Sequence, residues 1–448
     1  MTGRSTAGAV TRALAEVHAE VGVLSAGEIV SYIPRLALAD PTLFGVAMAS
    51  TEGHRYQAGD ADVAFTLQSV SKPFVYALAL ADRGVDEVSR WLRTEPSGEA
   101  FNAISLDRAT GRPANPMINA GAICATALVA GDDAAERYER IRAVLSAFAG
   151  RDLDIDPEVY ASEAATGDRN RALAYLMKAA DALPGEVDDS VDTYFRQCSI
   201  RATASDLAVM AATLGNGGVN PVTGVRVVAE PVAVAVLSVL ATCGMYDASG
   251  DWLVRVGLPA KSGVSGGIIA VSPGRFGVAA FSPPLDTTGN SVRGVAALRE
   301  VSSRFGLHLM HATTAAPTVR TDGAAGDTLR RIARHDAERT AVARAGDRVR
   351  LVGAQGRLDF TSAERVVHAL TAPTPPPTWI VLDLSRVRHL DPVAATMLRR
   401  TLAELTAAGH RAAVVGHQHL PPAERFVTAE AALAWCLAGL VEFDATSD

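Results

Sequence analysis

Residues 66–74 read TLQSVSKPF and place Ser69, Ser71 and Lys72 within four positions. Of the 42 basic residues in the chain, only Lys72, Lys178 and Lys261 are lysines; all the others are arginines. A serine hydroxyl is a weak nucleophile until a base takes its proton, and a lysine amine becomes such a base when burial lowers its pKa. Arginine cannot replace it, because the guanidinium stays protonated in any protein environment. On a helix, residues three apart share a face, so a helix beginning near Ser69 projects Ser69 and Lys72 together and turns Ser71 away. A serine at a helix start also has free backbone N–H groups around it, which suit a developing oxyanion.

Ser-x-x-Lys alone is common by chance. A second signal comes from Lys261, which opens KSGVSGG on a strand-like segment. Lys-Ser/Thr-Gly is the third element of the serine β-lactamase and penicillin-binding-protein layout. Two of the three lysines therefore fall into one mechanistic pattern. Lys178 lies in an amphipathic helical stretch and reads as a surface residue.

These residues need elements to hold them. At 448 residues, with 48% hydrophobic and 20% charged residues, the chain has the composition of an ordinary globular protein and the length of two domains. A net charge of −7 without any basic run gives no reason to expect a nucleic acid partner. The four cysteines are far apart, with no CxxC pair and no clustered histidine. That argues against a zinc site or a disulfide scaffold and fits a reducing cytosol. No apolar stretch is long enough to span a membrane, and the N-terminal 22 residues lack the apolar run of a signal peptide. A cytoplasmic location without a membrane is expected.

Segments 42–60 and 265–283 read as hairpins, the first around Thr51-Glu52-Gly53 and the second turning at Ser272-Pro273-Gly274-Arg275. Between them, 71–84, 136–150 and 169–183 carry apolar residues at helical steps. Segment 290–306 closes the block as a helix, with Asn290 or Ser291 as its cap. Strands at both ends with helices between predict an α+β domain: one antiparallel sheet with a helical insertion. Residues 311–345 are read as a linker, since 311–328 is rich in Thr, Ala, Gly and Pro. From 346 to 448 strands and helices alternate, which predicts a small αβ domain.

Several ordered motifs in residues 8–308 together resemble the serine-dependent glutaminases, which share the β-lactamase-like fold and hydrolyse L-glutamine to L-glutamate and ammonia. They are YIPRLA (32–37), FTLQSVSKPF (65–74), EPSGEAFNAI (95–104), NPMINAGAI (115–123), SEAATGDRNRALAYLM (162–177), YFRQCSI (194–200), TCGMYDASGDW (242–252) and AKSGVSGGI (260–268). The resemblance implies that Ser69 is the nucleophile and Lys72 its base, with Tyr32 beside them and Tyr246 contacting substrate and moving protons. It implies that Asn119, Glu163, Asn170 and Tyr194 hold the α-amino and α-carboxylate groups of the substrate. The N–H groups of Ser69 and Val264 would form the oxyanion hole, and no cofactor or metal is called for. Without the family, Glu163 reads as a first-turn helix cap, Asn119 as a turn residue, Asn170 as a helix-start residue and the tyrosines as half-buried packing.

The second block is similar to the STAS domains. IVLDLSRVRHLDPVAATMLRRTL (380–402) supplies a buried strand, a loop ending at Asp391 and a helix with Val393, Met397 and Leu398 on one side. Members of that group often carry a phosphorylatable Ser or Thr directly after the aspartate. Here Pro392 and Val393 follow, so no phospho-switch is expected at that position. The resemblance implies a homodimer or tetramer, and for this domain either a regulatory or partner-binding role or service in oligomer packing alone. Two rival readings remain at this level: a β-lactamase or peptidase relative, and an inactive scaffold whose STAS half binds a partner. The intact Ser69, Lys72, Tyr246 and Lys261 set counts against the scaffold.

Overall fold

A computed structural model describes residues 8–98, 106–311, 319–372, 377–416, 420 and 423–445. Part of the motif quoted at 95–104 and residues 312–318 of the expected linker lie outside the described residues. The chain divides into a larger compact unit, Ala13–Ser303 with Leu307–Met310, and a smaller one made mainly of His311–Asp448.

In the larger unit both expected hairpins form. Strands β1 (Gly45–Ser50) and β2 (Arg55–Gly59) pair antiparallel. A two-stranded ribbon joins β3 (Phe65–Thr66) to β4 (Arg201–Ala202). Strands β5 (Ala260–Ser262), β6 (Gly267–Ser272) and β7 (Phe276–Phe281) complete a wholly antiparallel sheet in the order β2-β1-β7-β6-β5. Strands β1, β6 and β7 are buried along their whole length, so they read as apolar runs rather than as alternating ones.

The residues between the hairpins form the predicted helical insertion. Helix Ala204–Gly215 lies on the sheet, buried at every position except Ser205. It starts with a reciprocal cap in which Thr203 Oγ1 accepts the Asp206 N–H and Asp206 Oδ2 accepts the Thr203 N–H. Close approach of helix and sheet depends on small residues. A Cβ added at Gly277 would sit 2.1 Å from Ala212 N and 2.2 Å from Ala208 O, both backbone atoms that cannot step aside. Helix Lys72–Arg83 is buried from Lys72 through Leu80 and forms the centre of the insertion. Phe74 on this helix meets Phe148 at 4.9 Å between ring centroids. At helix Val292–Phe305 the cap is Ser291, whose Oγ accepts the Gly294 N–H at 3.1 Å.

The smaller unit contains a five-stranded sheet ordered β12-β11-β10-β9-β8, with β8 Val319–Ala324, β9 Val349–Leu358, β10 Trp379–Leu390, β11 Arg411–Val415 and β12 Glu424–Phe426. The last four strands run parallel and β8 antiparallel. Helices Phe360–Thr371, Pro392–Ala407 and Ala429–Ala445 alternate with the strands as the sequence predicts. Two details differ. Residues 319–345, read as linker, hold β8 and helices Gly326–Ile332 and Asp336–Ala345, with Leu329, Ala341 and Val342 buried in this unit's core. An edge strand bonded on one side needs no apolar period, which is why β8 left no pattern to read. Strand β10 also runs to Leu390, so the loop expected before Asp391 is strand. Pro392 occupies the first helical turn, as anticipated.

All four cysteines are free and buried. No single helix among the described residues is long and apolar enough to cross a membrane; one sharply bent pair, Glu230–Cys243 with Tyr246–Arg255, passes by length and composition only.

Gly277→Ala should destabilise the protein by about 1–3 kcal/mol, the range for overpacking a filled interior. Urea unfolding followed by circular dichroism measures this, and an unchanged midpoint would mean that helix and sheet separate freely.

Candidate active site

Ser69 lies on a tight 3-10 turn, Gln68–Ser71, and the α-helix begins only at Lys72. This corrects the expectation of an α-helix from Ser69. It also sharpens the pairing, because residues three apart eclipse each other in a 3-10 turn. The turn is fixed by buried polar contacts. Ser71 Oγ donates to Gln68 O at 2.7 Å and accepts from Gln197 Nε2 at 3.2 Å, and Thr126 Oγ1 donates to Gln197 Oε1 at 2.8 Å. Leu67 N–H donates to Ile200 O at 2.8 Å, tying the turn to the β3–β4 ribbon.

Lys72 is 1% exposed. Its Nζ donates to Asn119 Oδ1 at 2.7 Å and to Met117 O at 3.2 Å. Burial pulls its pKa down to about 8, against the opposing pull of Cys198 and Glu163. Asn119 opens helix Asn119–Leu128. Its Nδ2 donates to Asn170 Oδ1 at 3.0 Å, and its Oδ1 also accepts from Tyr194 OH at 3.4 Å. Asn170 lies in the first turn of helix Asp168–Ala179, the helix-start position anticipated for it.

Glu163 is not a first-turn residue: it sits two turns into helix Pro157–Thr166, where Asp156 is the cap. The capping reading of Glu163 is therefore wrong. Its carboxylate is buried, and Oε2 accepts from Gln68 Nε2 at 3.2 Å. Burial raises its pKa to about 8; the Gln68 hydrogen bond and the Lys72 charge pull the other way.

On the sheet side, Tyr246 heads a 3-10 turn, Tyr246–Ala248, with φ +59°. Its hydroxyl donates to Ser262 O at 3.0 Å. Burial pushes its pKa well above the phenol range, and a hydrogen bond with Ser69 opposes that. Lys261 lies behind the ring. Its Nζ is 3.9 Å from the Tyr246 ring centroid and donates to Ser262 O at 2.7 Å and Gly244 O at 3.1 Å. Burial, reinforced by the Lys72 charge, holds its pKa well below the lysine range. Gly244 is required for this contact, since a Cβ there would lie 1.7 Å from Ala260 O.

Past the end of β5, Gly263 packs against the serine turn, its Cβ position only 3.0 Å from Leu67 O and 3.3 Å from Val70 N. Val264 comes next. Neither its N–H nor that of Ser69 donates to a backbone acceptor among the described residues. A cavity of about 50 Å³ is lined by Tyr32, Ser69, Asn119, Glu163, Asn170, Tyr194 and Val264, together with Ile33, Gln68, Thr166 and Gly167. The fold thus gathers all nine named residues: seven line the cavity, and Lys72 and Tyr246 stand behind it, bonded to Asn119 and Ser69. Tyr32 is 54% exposed and belongs to the mouth.

Gln68 was missed by the sequence reading. Like Tyr246 it has a positive φ, +47°, and the only other described non-glycine residue with one is Asp181. Positive φ strains a non-glycine backbone by roughly 1–3 kcal/mol, and such strain concentrates at functional sites.

A buried serine with an amine base at pKa near 8, beside a buried carboxylate and a cluster of amide and phenol groups, is the equipment of an acyl-transfer hydrolase. Comparison makes the assignment specific: the chain belongs to the glutaminase family, whose model matches residues 27–310. Glutaminase 2 of Bradyrhizobium diazoefficiens is 44% identical over 404 residues, which is 90% of this chain and 65% of the relative, so this chain spans just under two thirds of that protein. The glutaminase of Corynebacterium glutamicum is 44% identical over 398 residues, covering 88% of this chain and 91% of that one. The glutaminase of Microcystis aeruginosa is 50% identical, but over only 66% of this chain. Among solved structures, Mglu is 42% identical with a TM-score of 0.66, covering 90% of this chain and 97% of that one. A probable glutaminase, ybaS, gives 40% and 0.67 over 68% of this chain and 99% of that one.

Replacing Gln68 by Leu should raise KM for the amino-acid substrate by about 10–100-fold with kcat changed far less, because a hydrogen bond to a charged group is worth about 1.5–3 kcal/mol. Steady-state kinetics separate the two; a loss confined to kcat would mean Gln68 serves Ser69 and not Glu163.

Proposed function

We propose that this chain hydrolyses the side-chain amide of L-glutamine to L-glutamate and ammonia through an acyl-enzyme on Ser69. The observation that carries the reading is the buried Lys72 amine, three residues from Ser69, with its pKa drawn down to about 8 and its Nζ anchored on Asn119. Ser69 Oγ attacks the amide carbon while Lys72 Nζ accepts its proton. The unclaimed N–H groups of Ser69 and Val264 stabilise the oxyanion, a contribution typically near ~3–4 kcal/mol per donor. Ammonia leaves after protonation through Lys72 or Tyr246, giving a γ-glutamyl ester. Water then hydrolyses the ester by the reverse proton route, and no metal or organic cofactor is needed.

Glu163 is the partner for the substrate α-ammonium, and Asn119, Asn170 and Tyr194 supply mixed donors and acceptors for the zwitterion. Glutamine is selected over asparagine by the fixed separation between that carboxylate and Ser69, since one methylene moves the amide by a bond length.

The antiparallel sheet with its helical insertion, the Ser-x-x-Lys turn and the Lys-Ser-Gly strand support a β-lactamase-like catalytic domain over 1–310. For 346–448, the parallel strands alternating with helices and the β10–Asp391–Pro392 junction support a STAS-like domain that binds a protein partner. Asp391 there pairs with Arg357 at 3.1 Å and His389 at 2.9 Å. A cytoplasmic homo-oligomer completes the proposal; four buried free thiols suit a reducing compartment.

Two outcomes test this. Purified protein should release ammonia from L-glutamine but not L-asparagine, leave nitrocefin intact, and lose at least ~10³-fold in kcat in both Ser69→Ala and Lys72→Arg. Activity on nitrocefin, or full activity in Ser69→Ala, would reject the assignment. The pH profile carries its own sign. Lys72 must be neutral to act as base and Glu163 ionised to hold the ammonium, so both requirements are met above about 8 and fail below it. kcat/KM should therefore rise with pH through about 8, and a profile falling across that range would exclude Lys72 as the base.

A further inference from the structure

Ser71 does not line the catalytic cavity, yet it is fully buried, as are Gln197 and Thr126 behind it. The three are joined in one line of hydrogen bonds whose polarity follows from counting protons. A hydroxyl has a single proton to give. Ser71 Oγ lies 2.7 Å from Gln68 O, a carbonyl that can only accept, so the Ser71 proton is committed there. Whatever meets Ser71 Oγ from the other side must donate to it. That orients the Gln197 amide, with Nε2 toward Ser71 at 3.2 Å and Oε1 toward Thr126 Oγ1 at 2.8 Å. Thr126 supplies the proton at that end, shared with Ala122 O at 2.9 Å. Every bond in the line therefore runs one way, from Thr126 to Gln68.

The line ends on the peptide that carries the Ser69 N–H. In a trans peptide the C=O and N–H lie in one plane and point opposite ways, so a bond that holds Gln68 O also holds the direction of the Ser69 N–H. That N–H donates to no backbone acceptor among the described residues, and Gln68 and Ser69 both line the catalytic cavity. Gln68 has φ +47°, a conformation that a non-glycine residue keeps only where its surroundings impose it. The Ser71 bond to its carbonyl is one such constraint. In a buried line each hydrogen bond also polarises the next, which makes the N–H at the far side of the Gln68 peptide a stronger donor. The supporting helices carry other parts of the site. Thr126 lies seven residues past Asn119 on helix Asn119–Leu128, and Gln197 three past Tyr194 on helix Val187–Cys198, so each pair shares a helix face.

Resting on the acyl-transfer reading above, we propose that Ser71 and Gln197 are positioning residues for the oxyanion hole, aiming and polarising the Ser69 N–H toward the substrate amide oxygen as it gains negative charge. They touch no substrate and move no proton in the reaction. Their contribution belongs to the transition state, because the aim of a donor matters most where charge develops. The α-ammonium and α-carboxylate contacts that hold the substrate are made by other residues, so binding should be nearly untouched by their loss.

Steady-state ammonia release from L-glutamine by the full chain tests this. Removing an oxyanion donor lowers kcat by about 10²–10³-fold, so loosening its aim in Ser71→Ala or Gln197→Met should lower kcat by about 10–100-fold, with KM within about threefold. Because the two act in one line, the double variant should lose no more than about threefold beyond Ser71→Ala. Gly277→Ala, which strains the helix–sheet contact instead, is the control for a merely structural effect and should keep kcat within about twofold. The midpoint of the kcat/KM profile near 8 should stay in place, since Lys72 retains Asn119 and Met117. Thr126→Val keeps the side-chain shape, removes only the far end of the line and should lower kcat about threefold or more; it decides the question where circular dichroism shows the other variants unfolded. An unchanged kcat in the folded variants, a loss carried by KM, additive losses in the double variant, a displaced pH midpoint, or an equal loss in Gly277→Ala would each overturn the proposal. Failure of the acyl-transfer reading looks different: the unmodified chain would release no ammonia from L-glutamine, or Ser69→Ala would stay active, and the proposal would fall with it.

Discussion

A primary amine held away from water sets the terms for the catalytic unit. Lys72 is almost fully enclosed, and a buried ammonium is tolerated only where fixed acceptors replace its hydration. Two do so, the side-chain oxygen of Asn119 and the carbonyl of Met117. Both come from the start of helix Asn119–Leu128 and the residues just before it, so that helix must be placed accurately against helix Lys72–Arg83. Its own first residue is then tied through Asn119 Nδ2 to Asn170 on a third helix. Under the proposed function this arrangement of the helical insertion meets a specific need, since an amine with an ordinary pKa could not be a base. Placing it where its charged form is disfavoured requires a core built around it.

The second requirement is that two pieces of chain far apart in sequence meet at Ser69. One is the 3-10 turn itself; the other is the end of β5 with Gly263 and Val264. Glycine at 263 lets the strand end lie against the turn, and glycine at 244 lets the helix before Tyr246 lie against β5. Between these contacts Lys261 faces the Tyr246 ring and claims two backbone carbonyls. Arginine could not fit this role either, since its planar fork needs more room than a point charge over a ring. The scarcity of lysine in the chain acquires a physical meaning: Lys72 and Lys261 stand where a compact, deprotonatable or ring-facing amine is needed.

Much of this was legible in the sequence and some was not, for identifiable reasons. Ser69 and Lys72 announce themselves because their chemistry depends on residue type, and their spacing survives any helical geometry. The hairpins flanking the insertion, and its helices, follow from periodicity. Gln68 gave no signal, since its role comes from a positive φ imposed by the fold and not from its type. The position of Glu163 in its helix was misjudged because Asp156-Pro157, a stronger start signal, lies seven residues upstream. In the smaller unit β8 was invisible: VRTDGA has no alternation, and its pairing with β9 is made by backbone groups that every residue possesses.

The opposite shifts of Lys72 and Glu163 are best understood together. Burial lowers the first and raises the second, and each charge partly restores the other's charged form. The Glu163 carboxylate therefore favours the Lys72 ammonium, the protonation state that cannot accept a proton from Ser69. Under the proposed function, an amino acid arriving with its ammonium against Glu163 cancels that field. The carboxylate is then held ionised by its new partner, while its hold on the proton of Lys72 weakens. Binding of the zwitterionic end would by this route deprotonate the base needed at the amide end. The discrimination against substrates lacking an α-ammonium would then appear in the chemical step as well as in binding. Such coupling needs both groups to be buried, because in water their mutual influence would be screened away. Under that reading, the same enclosure that lets Lys72 serve as a base also lets it respond to what binds beside Glu163.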